Sequence, residues 1–80
     1  MKNTRQQKSA TKPDLLAMGR RIRQLRGFDW NQKQFCRLLE ITQPQLSKYE
    51  RGQSIPPLQV LLRLKRHSGK SIDWIVTGEE

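Results

Sequence analysis

Two helix-start signals placed close together leave this chain little choice of fold. Asn31 followed by Gln34 has the form of a capping box, in which each side chain bonds the other residue's backbone N–H. Trp30 and Phe35 flank it as a hydrophobic staple. The arrangement recurs with Thr42 and Gln45 as the box and Ile41 and Leu46 as the staple. The first of these helices must end before the second box begins, so only Leu39, Glu40 and Ile41 remain for the joint. Two short helices on so short a joint have the spacing of a helix-turn-helix. Pro44 falls in the first turn of the second helix, where a missing N–H does little harm.

Three further helices surround this pair, and no segment reads as a strand. Leu15, Met18, Ile22 and Leu25 recur at three- and four-residue steps, an amphipathic stripe that starts at Asp14 and stops at Gly27 as a left-handed terminator. Pro56 and Pro57 break the chain, and a fourth helix begins with Pro57 in its first turn. Its apolar face is Leu58, Leu61, Leu62 and Leu64, widened by Val60, and Gly69 ends it. Ser71 caps a last short helix to Thr77, with Ile72, Ile75 and Val76 on one side. The predicted class is all-α, a compact five-helix bundle.

Charge narrows the partner. The 80 residues carry 16 Lys and Arg against 7 acids, a formal net charge of +9. Residues 1–13, MKNTRQQKSATKP, hold Lys2, Arg5, Lys8 and Lys12, no acid, and no large apolar residue beyond Met1. They read as a flexible basic arm ahead of one domain over 14–80, which keeps about +5 once those four cations are set aside. A polyanion is the natural partner, and double-stranded DNA suits a helix-turn-helix. Charge alone would also fit an RNA or a membrane surface, but neither explains the helix pair.

The remaining composition excludes other classes. Cys36 is the only cysteine, set among Phe35, Leu38 and Leu39, so it reads as a small buried residue and points to a reducing, cytoplasmic compartment. No apolar run is long enough to span a membrane, and no signal-peptide core precedes the domain. The lone His67 ends a basic helix with no nucleophile to match, and reads as a surface residue. No catalytic constellation, metal cluster or cofactor motif is visible, so the chain is not expected to be an enzyme or to need a cofactor.

The second helix of the pair carries almost no apolar face. With Leu46 pointing inward and about 100° per residue, Pro44 and Lys48 point outward and Arg51 follows. Gln45 and Ser47 flank them, Gln43 reaches forward off the helix end, and Tyr49 and Glu50 lean inward. Glutamine pairs with adenine through two hydrogen bonds, lysine donates to guanine, and proline can meet a thymine methyl. The bland alternative is an ordinary solvated helix face. The candidate base contacts are thus Gln43, Pro44, Gln45, Ser47 and Lys48. Candidate phosphate contacts are Asn31, Gln32 and Lys33 in the first turn of the preceding helix, Thr42 at the cap, and Arg51 and Gln53 at the far end. Asn31 has a capping role that competes with a phosphate role.

Several short motifs also resemble one family. Asn31-Gln32, Phe35-Cys36, Ile41-Thr42-Gln43, Leu46-Ser47, Tyr49-Glu50-Arg51-Gly52, Pro56 and the closing Ser71-Ile72-Asp73-Trp74-Ile75-Val76-Thr77-Gly78 resemble the lambdoid phage repressor and Cro-like (XRE-type) helix-turn-helix family. The resemblance covers roughly 15–79. It implies a lambda repressor-like bundle that binds pseudo-palindromic operators as a homodimer, with the second helix of the pair in the major groove. Its base-reading positions fall on Gln43, Pro44 and Lys48, and its phosphate positions on Asn31, Gln32, Arg51 and Gln53. It further implies a structural ion pair between Arg26 and Glu50. Three positions depart from the family pattern. Glu40 stands where glycine is usual, so the backbone there is either not left-handed or is strained. The link from Arg26 to Trp30 is one residue short, and Pro44 replaces a polar reader.

The function expected is that of a small bacterial or phage-encoded transcriptional regulator, a repressor, associated with the nucleoid when bound. The alternative is an antitoxin-type module that neutralises a protein partner and autoregulates its operon. Dimer contacts are expected from Trp74, Ile75 and Val76. Eighty residues leave no room for a separate ligand-sensing domain. The basic arm either wraps the duplex or stays solvated.

Overall fold

Among the described residues, four of the five helices begin on a residue whose side chain satisfies one of the helix's otherwise unpaired N–H groups. The computed structural model describes residues 14–28 and 30–79, so the arm expected over 1–13 lies outside the described residues. Helix α1 spans Leu15–Arg26, and Asp14 Oδ1 accepts from the Ala17 N–H at 3.1 Å. Helices α2 (Gln32–Leu39) and α3 (Gln43–Glu50) start on Asn31 and Thr42, both with complete capping boxes. Helix α5, Ile72–Thr77, starts on Ser71, whose Oγ accepts from the Trp74 N–H at 2.9 Å. Helix α4 spans Leu58–Ser68 and has no such device. Pro57 occupies its cap position with extended backbone, one residue outside the helix rather than in its first turn. No strand occurs among the described residues, and the all-α five-helix bundle expected from the sequence is the fold.

One core joins all five elements. Met18 and Ile22 come from α1, Phe35, Cys36 and Leu39 from α2, Leu46 and Tyr49 from α3, Val60, Leu61 and Leu64 from α4, and Ile75 from α5. Two expected members of the α4 face are missing. Leu58 is 63% exposed and Leu62 39% exposed. They lie one turn apart on a side of α4 well off the Val60, Leu61 and Leu64 seam, so a five-residue apolar spread cannot all face one core. His67 also departs from expectation. It is half-buried, and its ring meets Trp30 edge-on at 5.2 Å and Phe35 at 5.8 Å between centroids. Aromatic pairs at such distances and angles are favourable contacts, so His67 fills a gap between the staple residues.

The joint between α2 and α3 resolves the question raised by Glu40. Its backbone is left-handed, with φ 59° and ψ 45°, in a residue that pays about 1–2 kcal/mol for that conformation. The geometry is retained because the turn closes on itself. The Ile41 N–H donates to the Cys36 carbonyl at 3.0 Å, and Arg63 from α4 donates to the Leu39 carbonyl at 3.1 Å. Arg63 also stands 3.5 Å from the Glu40 carboxylate, an exposed pair of small value.

Helices α1 and α3 pack together unusually closely, and Gly19 is the reason. A Cβ at this position would lie 2.5 Å from the Glu50 carbonyl oxygen and 2.6 Å from that of Tyr49. Both obstacles are backbone, so the helices would have to separate. Gly19→Ala therefore sets two effects against each other. Alanine gains about 1 kcal/mol of intrinsic helix propensity, while overpacking typically costs about 1–3 kcal/mol and more against rigid backbone. The clash should win, lowering the urea midpoint. An unchanged or higher midpoint would show that Gly19 does not set the α1–α3 distance.

Candidate nucleic-acid interface

The capping boxes that begin α2 and α3 also decide which polar groups remain available outside the domain. Asn31 Oδ1 accepts from the Gln34 N–H at 2.8 Å, and Gln34 Oε1 accepts from the Asn31 N–H at 3.1 Å. In the second box Gln45 Oε1 accepts from the Thr42 N–H at 2.8 Å and from the Thr42 hydroxyl at 3.2 Å. The Thr42 hydroxyl in turn accepts from the Gln45 N–H at 3.2 Å. Thr42 thus has no hydroxyl proton left for a phosphate, and Gln45 keeps only its amide NH2 group. Neither limit applies to Gln43 or Lys48.

Helix α3 divides by side. Leu46 is fully buried and Tyr49 nearly so. Gln43, Pro44, Gln45, Lys48 and Arg51 are exposed, and Ser47 is half-buried on the flank. Lys33 at the start of α2 is exposed, and Gln32 beside it is half-buried. Past the end of α3, Arg51 Nη2 donates to Gln53 Oε1 at a long 3.4 Å. The chain then turns at Gly52, whose φ of 73° suits glycine. A Cβ there would lie 2.9 Å from the backbone of Leu15 and Leu16, so this glycine also lets the chain rest against the start of α1.

What fixes α3 against the bundle is a fork of hydrogen bonds on Glu50. Arg26 donates to its carboxylate twice, from Nε at 2.8 Å and from Nη2 at 3.0 Å. Gln32 Nε2 adds a third donor at 3.2 Å. The Arg26 and Glu50 side chains are only 15% and 5% exposed. Arg26 Nη1 also reaches the Trp30 carbonyl at 3.4 Å, so one guanidinium ties the end of α1, the link to α2 and the end of α3. The Glu50 hydrogen bond, with the Glu50 charge, holds the Arg26 pKa above its ordinary value against the opposing cost of burial. Gln32 gives one amide hydrogen to Glu50 and keeps the other, along with its backbone N–H in the first turn of α2.

Burial, assisted by the Glu50 charge, pushes the Cys36 thiol pKa up while Arg26 opposes, and a protonated buried thiol is a poor nucleophile. Among the described residues no group of His, Cys, Asp and Glu side chains is placed to hold a metal ion, and no helix is long and apolar enough to cross a membrane.

A family model described as helix-turn-helix (HTH_3) matches residues 20–75, from the middle of α1 through most of α5. The chain belongs to the lambda repressor-like (XRE-type) helix-turn-helix family. Its members are DNA-binding transcription regulators, and the α2–α3 pair has the arrangement of the helix-turn-helix for which the family is described. No curated protein and no solved structure matches the chain.

Within this repressor-like domain one of the α5 expectations, the dimer contact at Ile75, needs correction. Ile75 is fully buried in the core, where it closes the bundle against α1 and α4, and offers no surface to a second chain. Trp74 and Val76 are half-buried, packed on the core, and Lys70 Nζ lies 4.9 Å from the Trp74 ring centroid. Two arginines read only as charge have structural work. Arg21 donates to the carbonyls of Ile75 and Val76, both at 2.9 Å, which fastens the last turn of α5 to α1. Arg63 does the same for the end of α2. A cation near a helix C-terminus is favourable, but these partners lie 54 and 24 residues away in sequence, beyond any local signal.

The pair of Arg26 and Glu50 allows a test. Arg26→Ala should lower stability by about 3–5 kcal/mol, because it leaves a nearly buried carboxylate without its counter-charge. Chemical denaturation would measure this. A loss under about 1 kcal/mol would mean that the pair behaves as an exposed one.

Proposed function

We propose that this protein is a sequence-specific transcriptional repressor that binds a pseudo-palindromic operator as a homodimer, with α3 in the major groove. The observation that carries this reading is the outward face of α3. Gln43, Pro44 and Lys48 are exposed on a helix held inward by Leu46, Tyr49 and the Glu50 fork. Such rigidity lets hydrogen-bonding side chains meet base edges at fixed positions. Gln45 reads through its amide NH2 group only, and Ser47 contributes from the flank. Asn31, Gln32 and Lys33 at the start of α2, with Arg51 and Gln53 beyond α3, hold the duplex by its phosphates. Selection of bound sequences from random duplex DNA tests the whole reading, and recovery of no preferred sequence would refute it.

Two substitutions separate the roles. Lys48→Ala should relax preference at one operator position. Arg51→Ala should weaken binding to all sequences and lower the slope of log K against log salt by about 1. Identical sequence profiles for Lys48→Ala and the native protein would remove Lys48 from the readers.

In a dimer on a two-fold operator the recognition helices lie about 34 Å apart, one turn of B-DNA. Sedimentation of the protein on a duplex bearing both half-sites should give two chains per duplex. One chain per duplex would overturn the dimer. A second reading, the antitoxin, keeps the same domain and adds a protein partner. It is favoured by one observation, the exposed Ile55, Leu58 and Leu62 outside the helix pair. Isolation of a stable complex with a toxin that this chain neutralises would establish it.

A further inference from the structure

Two basic clefts meet at Arg23. The first, of about 230 Å³, lies between α1, the start of α2 and the end of α3, and is lined by Arg23, Arg26, Gln32, Ser47, Glu50 and Arg51. Its Arg26 and Glu50 neutralise each other. The net charge that remains comes from Arg23 and Arg51, one from α1 and one from the end of α3. The second cleft, of about 450 Å³, continues along the outer side of α1 and is lined by Arg20, Arg23, Gln24, Arg26, Gly27 and Phe28. No acid lines it. Arg20 and Arg23 are exposed, and no ion pair or side-chain hydrogen bond holds either among the described residues.

Phe28 gives this second cleft its other property. Its relative exposure is 107%, the highest among the exposed large hydrophobic residues, at the turn that follows α1. A fully exposed phenylalanine contributes nothing to the core, and burying it against a partner is favourable. What settles there must be anionic to suit the arginines and must offer an apolar face to the ring. A sugar–phosphate backbone has both, in alternation along one strand. A guanidinium fork also matches the two free oxygens of a phosphodiester.

We propose that the DNA footprint extends past the helix pair onto α1, with Arg51, Arg23 and Arg20 each meeting a separate phosphate along one backbone and Phe28 packed on a deoxyribose beside them. This inference rests on the DNA-binding reading and adds α1 and its following turn to the contact surface. The two clefts share Arg23 and Arg26, so the track is continuous with the α2–α3 interface. Arg23 carries it because, of the two arginines common to both, it is the one not paired with an acid among the described residues.

The test uses the full chain and a duplex recovered by selection, with affinity measured across a salt series. Arg23→Ala should lower the salt slope by about 1 for specific and random duplexes alike. Phe28→Ala should weaken binding about five- to tenfold with the slope unchanged, since an apolar contact releases no counterions. Both side chains are exposed, so melting curves should match the native protein. Arg66→Ala, an exposed cation of α4 outside both clefts, should leave the slope at its native value. The inference is overturned by a native slope in Arg23→Ala, by native affinity in Phe28→Ala, or by a slope loss in Arg66→Ala equal to that in Arg23→Ala, which would indicate a diffuse field. In each of these cases DNA binding by the native protein would still stand. Absence of duplex binding by the native chain would instead remove the DNA-binding reading, and this inference with it.

Discussion

Glu50 is the point on which the arrangement of this domain turns. It closes a helix whose outer face has no partner among the described residues, so the helix's position there depends on a few inward contacts. Leu46 and Tyr49 supply apolar burial, which is non-directional and would tolerate some rotation. The fork of Arg26 on Glu50 is directional, and two parallel N–H···O bonds fix orientation as well as distance. Gln32 joins the same carboxylate, so the start of α2 and the end of α3 are referred to a single group. The helix pair is thereby held to α1 as well as by its short joint.

Close approach of backbone makes that fork possible. At Gly19 the α1 backbone comes within reach of the last carbonyls of α3, and at Gly52 the departing chain rests on the first residues of α1. Any side chain at either place would push α1 and α3 apart and lengthen the Arg26 to Glu50 distance. The glycines and the ion pair are one device, in which the absence of two side chains lets two others meet. The left-handed Glu40 is the opposite compromise. There a strained residue is retained because the turn's hydrogen bonds and Arg63 hold it.

Much of the fold was legible in local sequence because capping is local. Asp14, Asn31, Thr42 and Ser71 each bond a backbone N–H three residues on, and that spacing is visible in any reading of the chain. The candidate readers followed from the same logic, since a helix wheel anchored on Leu46 orients every other residue of α3. Legibility failed where a residue's partner is distant. Leu58 and Leu62 looked like core because apolar periodicity states which residues share a face, but not how wide a face the neighbours cover. Ile75 looked like an interface for the same reason. His67 looked solvated because nothing near it in sequence announces that Trp30 and Phe35 will stand on either side of it.

By itself, then, the sequence determined that there are five helices and where the four with side-chain caps begin, that two of them form a helix-turn-helix, and that the face of α3 carrying Pro44 and Lys48 would stand outward on a strongly basic chain. These follow from interactions spanning three or four residues. Only the tertiary structure decided which cations are engaged inside the bundle, as Arg21, Arg26 and Arg63 are, and which remain on the surface, as Arg20, Arg23, Lys48 and Arg51 do. Formal charge counts all of these arginines and lysines alike. Their separation into structural and available groups depends on which carbonyl or carboxylate the fold brings within hydrogen-bonding distance, and that is set by packing between residues far apart in the chain.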